Sequence, residues 1–68
     1  MYEPLIANPL HRKAHVMLVE RGLRPTKEQM KSEEELQAFI YTATYLVEQN
    51  VNRPERQAEW KAYLESLR

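Results

Sequence analysis

The stretch Ser32-Glu33-Glu34-Glu35-Leu36-Gln37-Ala38-Phe39-Ile40-Tyr41-Thr42-Ala43-Thr44-Tyr45-Leu46-Val47-Glu48 decides the fold. Ser32 followed three residues later by Glu35 is the signature of a capping box, in which the serine side chain satisfies an orphan amide at a helix start. Glu33, Glu34 and Glu35 put negative charge in the first turn, where the helix dipole favours it. Wound at ~100° per residue, Leu36, Phe39, Ile40, Ala43, Leu46 and Val47 make one broad apolar stripe. The pattern predicts a helix from Glu33 to about Gln49 or Asn50. Tyr41 and Tyr45 lie one turn apart and fall outside the stripe, with Ala38 beside them.

Two further helices flank this one. Asn8-Pro9 is a helix start, because asparagine accepts from free amides and proline is preset for the first helical position. The first helix is expected from Pro9 to about Arg21, with Leu10, Ala14, Met17 and Leu18 on one face. Gly22 supplies the left-handed stop. Leu23-Arg24-Pro25 is a connector, and Thr26 with Gln29 predicts a single capped helical turn over Thr26–Met30. Val51-Asn52-Arg53 makes the next turn, and Pro54 opens a third helix on which Trp60, Tyr63, Leu64 and Leu67 align. Residues 1–7 read as an extended strap. The expected fold is therefore all-α: a small three-helix bundle in a single domain, with an extra helical turn between helices 1 and 2.

Composition agrees with helix. All ten acidic residues are glutamate, and there is one glycine. A chain of 68 residues builds a modest core, and such cores rarely supply more than about 3–5 kcal/mol. There is no cysteine, so neither a disulfide nor a thiolate metal site supplements it. Regular helix packing or association remains. The absence of cysteine fits a reducing compartment, and the N-terminus has neither the basic nor the apolar region of a secretory signal. The expectation is a cytoplasmic protein. No apolar run is long enough to span a bilayer, so no membrane partner is expected.

Charge is unevenly placed although the net charge is zero. Residues 1–31 carry six bases against three acids, a balance of +3; residues 32–51 carry four glutamates and no base, −4; residues 52–68 carry four bases against three acids, +1. One reading sets the basic first segment beside the acidic second helix as a determinant of topology. The other makes the dipolar surface a steering device for a charged protein partner.

The apolar residues exceed what a minimal bundle needs. Val16, Val19 and Leu23 point away from Leu10, Ala14 and Met17, and Tyr41 and Tyr45 point away from the main stripe of the second helix. Either residues 1–7 fold back with Tyr2, Leu5 and Ile6 over one patch, or the chain forms a homodimer, or these surfaces receive another protein. Tyrosine suits an exchangeable contact, since its ring buries a large area while its hydroxyl tolerates water. The protein-binding residues expected are Tyr41, Tyr45, Val16, Val19 and Leu23, with Arg12, Arg21 and Arg24 for orientation.

Catalytic and metal chemistry find little footing. His11 and His15 stand four apart, as in a two-histidine metal pair, yet a stable site needs three or four ligands and no other histidine or cysteine exists. No metal and no cofactor is expected. Ser32 reads as a cap, Ser66 lies close to the last residue, and one glycine cannot make a phosphate loop. The sequence reads as a non-enzyme. Its expected role is a small interaction module that binds a larger protein and inhibits or stabilises it, in the manner of accessory subunits or phage-encoded factors. The alternative is a helix-turn-helix-like nucleic-acid-binding regulator using the basic segment 12–31, with Arg21, Arg24, Lys27 and Lys31 on phosphates.

Overall fold

The computed structural model of the chain describes residues 8–68, so the strap assigned to residues 1–7 lies outside them. The first helix, α1, runs Pro9–His15. Asn8 caps it, its side-chain oxygen accepting from the amides of Leu10 at 2.9 Å and His11 at 3.4 Å. The helix does not end at His15. It widens into a π segment, Val16–Glu20, in which the Arg21 amide reaches back five residues to the Val16 carbonyl at 2.9 Å. The expected α-helix to Arg21 is thus α only as far as His15.

Gly22 follows with φ of 66°, the left-handed conformation that a glycine adopts without penalty. An ordinary Schellman ending would bond the Leu23 amide to the Leu18 carbonyl. Here it bonds to the Met17 carbonyl at 2.8 Å, one residue further back, as the widened turn requires. The chain then runs without regular structure to a three-residue 3-10 turn, Lys27–Gln29. Gln29 Oε1 accepts from the Thr26 amide at 2.9 Å, and the Gln29 amide bonds to the Thr26 carbonyl at 3.0 Å.

The second helix, α2, spans Glu33–Gln49, and the third, α3, spans Pro54–Leu67. Ser32 Oγ accepts from the Glu35 amide at 3.1 Å. The reciprocal bond of a capping box is displaced: Glu35 Oε1 accepts from the amide of Lys31, at 3.1 Å. Between α2 and α3, Asn50 ends the helix. Its side-chain amide donates to the Leu46 carbonyl at 2.7 Å, and its own carbonyl accepts from the Arg53 amide at 2.9 Å.

Helix α2 is central: it packs against both α1 and α3, more extensively against α3. One core joins all three: Ala14 and Leu18 from the first helix and its π extension, Phe39, Ala43 and Leu46 from α2, and Trp60, Tyr63, Leu64 and Leu67 from α3. Three helices, and no strand among the described residues, make this a small all-α bundle. The deepest line of α2 is rotated from the stripe read in the sequence. Ala38 and Thr42 are buried, while Leu36, Ile40 and Val47 are only half-buried. Ala38 therefore belongs to the interior and does not join Tyr41 and Tyr45 on an outer face. The physical reason is size: a methyl and a short hydroxyl allow neighbouring chain to approach closely, and the Thr42 hydroxyl is satisfied by donating to the Ala38 carbonyl at 2.9 Å.

Candidate functional site

The residues singled out by sequence do not form one patch. They fall on four surfaces, each set by a different element. On the outer face of the first helix, Arg12, Val16 and Arg21 come together with Pro9, Lys13 and Met17 around a shallow hollow of about 370 Å³. Val16 and Met17 are half-buried there, and Arg12 and Arg21 are exposed. Among the described residues the ion pairs are Lys13–Glu35 at 3.2 Å and Arg68–Glu65 at 3.8 Å, so neither Arg12 nor Arg21 is neutralised by a carboxylate. The hollow has an apolar floor and a basic rim.

The second surface holds the tyrosines. Tyr41 is 40% exposed, whereas Tyr45 is half-buried and packs against the core. They line a groove of about 520 Å³ with His11, Gln37, Ile40, Thr44 and Glu48. His11 stacks on Tyr41, ring centroids 4.5 Å apart and planes 17° from parallel. His11 was not among the expected binding residues. A signal existed, since α1 had to lie on α2 somewhere and His11 is its aromatic side chain nearest the start. His11 Nδ1 is buried and finds no hydrogen-bond partner among the described residues, so the ring acts here through its face. Groups of three or more potential metal ligands are absent among the described residues.

Leu23 occupies a third position. It is 42% exposed on the rim of a cleft with Met17, Met30 and Phe39, where the connector crosses α2. Val19 lies on a fourth surface and is 44% exposed on the wall of a cleft that also borders Leu46, Arg53 and Trp60. Val51, in the turn between α2 and α3, is exposed as well and was not singled out from the sequence.

Arg24 is the residue whose placement differs most from a simple orienting charge. Its Nη1 donates to the carbonyls of Leu18 and Leu23, both at 2.9 Å. Its guanidinium lies 4.1 Å from the centre of the Trp60 ring. The Leu18 carbonyl is the one that the π segment deprives of its Schellman partner, so Arg24 caps the helix from outside while its cation rests on an aromatic face. Beside it, the Tyr63 hydroxyl donates to the Pro25 carbonyl at 2.8 Å. Burial pushes the Tyr63 phenol up to about 12, with the charge of Arg24 pulling the other way.

The acidic start of α2 has one cross-link to the first helix, Lys13–Glu35. The Lys31 amide first, and then the Lys13 ammonium, hold the Glu35 carboxyl below its usual range. Glu33 and Glu34 stay exposed, so the charge asymmetry seen in the sequence is used internally at a single point. The basic connector after Gly22 contains three residues of 3-10 helix, Arg24 is engaged with the fold, and Lys27 Nζ donates to the Arg68 carbonyl at 3.3 Å. Among the described residues no helix is long and apolar enough to cross a membrane. No protein family, curated protein or solved structure matches the chain.

Proposed function

We propose that this chain is a non-enzymatic interaction module that binds a larger protein and modulates it, by inhibition or by stabilisation. The observation that carries this reading is the hollow on the outer face of the first helix, where Arg12, Val16 and Arg21 border an apolar floor and, among the described residues, no carboxylate pairs with either arginine. A buried apolar centre with a charged rim is the anatomy of a protein contact: the centre supplies affinity and the rim supplies orientation and encounter rate. Leu23 and Val19, exposed on two other surfaces, show that apolar side chains exceed what the core uses, but they do not border this hollow.

The test compares the proteins retained from a lysate by the wild-type chain and by an Arg12→Glu/Arg21→Glu variant, with a Tyr41→Ala/Tyr45→Ala variant alongside. Circular dichroism first establishes that each variant is folded. Loss of a retained protein with the arginine variant, and its retention with the tyrosine variant, supports the first-helix face. An identical set from all three chains overturns the reading. Sedimentation at rising concentration decides whether a second copy takes this face instead; a mass that doubles for the wild type and not for the arginine variant would make the module a homodimer.

A further inference from the structure

We infer that a second, separate surface, the cleft between the π segment and the turn joining α2 to α3, receives an acidic segment of a partner protein: a carboxylate side chain flanked by aliphatic ones. This rests on the interaction reading above but not on the first-helix face. The cleft has a volume of about 550 Å³ and is lined by three arginines, Arg24, Arg53 and Arg56, against one acidic residue, Glu59. The local balance is 3 − 1 = +2 in a chain whose net charge is zero. Among the described residues none of the three arginines forms an ion pair, since both pairs present lie elsewhere.

The floor beneath these charges is apolar. Leu18, Leu46 and Trp60 lie at its base, and Val19 stands 44% exposed on its wall. A free inorganic anion has no use for that floor. A nucleic acid needs cations spread along a track, with aromatic faces open to stacking. Here the cations gather around one cleft, and the indole face is already covered by Arg24, 4.1 Å away. A carboxylate with neighbouring aliphatic side chains matches both components.

Part of the site is preorganised. Arg24 is fixed by its two carbonyl bonds through Nη1, which leaves Nη2 and Nε without a hydrogen bond to any described residue. Its conformational freedom is already spent by the fold, so an incoming carboxylate gains a forked donor with little further ordering. Arg53 is held through its backbone, whose amide bonds to Asn50 and whose carbonyl accepts from Gln57, both at 2.9 Å. The arginines thus project from a fixed turn and helix start.

The experiment is an amide and side-chain NMR titration of the full chain with a short capped peptide alternating leucine and glutamate, and with its glutamine counterpart. The glutamate peptide is expected to shift the Trp60 indole N–H and the signals of Val19, Asn50 and Arg56. The glutamine peptide should bind at least roughly tenfold more weakly, the loss of one charge-assisted bond. An Arg53→Glu/Arg56→Glu variant should lose binding by at least the same factor. Acidic residues suit the first turn of a helix, so this variant is expected to keep its fold. An Arg56→Lys variant, which keeps the charge and loses the fork, should fall between the two. The Arg12→Glu/Arg21→Glu variant should bind the glutamate peptide as the wild type does, so failure of this site and failure of the first-helix face give different results. Equal binding of the two peptides, shifts confined to the first-helix face, or a single-stranded oligonucleotide that moves the same signals at lower concentration would overturn the assignment.

Discussion

The α2–α3 pair and the first helix with its connector are held by different forces. Helices α2 and α3 meet through large buried side chains: Phe39 and Leu46 face a core that also contains Trp60, Tyr63, Leu64 and Leu67. Their polar bonds are short-range accessories, such as Gln57 Nε2 donating to the Val47 carbonyl at 3.2 Å. The first helix and its π extension contribute Ala14 and Leu18 to that core, with Met17 and the connector's Met30 packed against it, a smaller apolar share. The first helix and the following connector are fixed in addition by directional contacts: Lys13 with Glu35, Arg24 with the Leu18 carbonyl and the Trp60 ring, and Tyr63 with the Pro25 carbonyl. Burial without direction dominates one half; in the other a smaller buried set is supplemented by a few oriented bonds. Segments with few buried contacts open locally at lower free energy than the core, so the surfaces that border the first helix belong to the half that opens more easily.

The largest expected effect comes from the apolar half. Phe39→Ala should cost about 3–5 kcal/mol, through lost transfer energy and the cavity left behind. A core of this size supplies about that much in total, so the cooperative thermal transition followed by circular dichroism should disappear. A variant that melts within a few degrees of the wild type would break the comparison, because Phe39 is 1% exposed and at its centre.

Arg24→Ala should have an intermediate effect, about 1–3 kcal/mol for the loss of charged hydrogen bonds. It should also be local. Hydrogen exchange should accelerate at the amides of Arg21 and Leu23, while the amides of α2 and α3 keep their protection. Uniform acceleration across the chain would show that the two halves are one cooperative unit, and the contrast drawn here would fail.

The smallest effects belong to pH, and they sharpen the contrast at single groups. Tyr63 has its folded pKa raised from 10.0 to about 12, so its neutral form is favoured by folding. Its contribution is fully present below pH 10.0 and is lost as pH rises toward about 12. Tyr63→Phe should cost about 1 kcal/mol at neutral pH by removing one hydrogen bond, and should flatten the alkaline limb of the stability curve. Glu35 has its folded pKa lowered from 4.5, so its contribution is present above pH 4.5 and is lost as pH falls through the folded value. Glu35→Gln should flatten the acid limb. Chemical denaturation across pH measures both; limbs unchanged in the variants would remove these two contacts from the account of how the connector is held.

The helix starts were legible in the sequence because caps are local chemistry. Asn8-Pro9, Ser32 with Glu35, and Pro54 announce themselves within four residues, and α2 and α3 begin where these signals put them. The all-α bundle followed from the apolar periodicity of three segments. The burial of Ala38 and Thr42 was not legible, because a small residue packs deeply only when a neighbour closes on it, and nothing in the α2 stretch states which side that is. The role of Arg24 was hidden for a stronger reason. It needs a carbonyl left unpaired by a π segment and an indole 36 positions further along the chain, and neither has a local signature. The expected binding residues were chosen by exclusion from the core. Exclusion identifies exposed side chains such as Val19 and Leu23, but not which of them share a surface, and the structure divides them among four.

The π segment Val16–Glu20 has one more consequence. A turn wound this way contains one residue more than an α turn of the same span, so the chain carries spare length there. Removing a single residue between Val16 and Glu20 would let the coil tighten to the ordinary pitch without moving its entry or its exit. The same deletion inside α2 would swing every later side chain by about 100° and turn Ala43 and Leu46 out of the interior. A one-residue deletion in this stretch is therefore expected to leave the thermal transition nearly unchanged, while one inside α2 should abolish it; circular dichroism of the two deletion variants checks this.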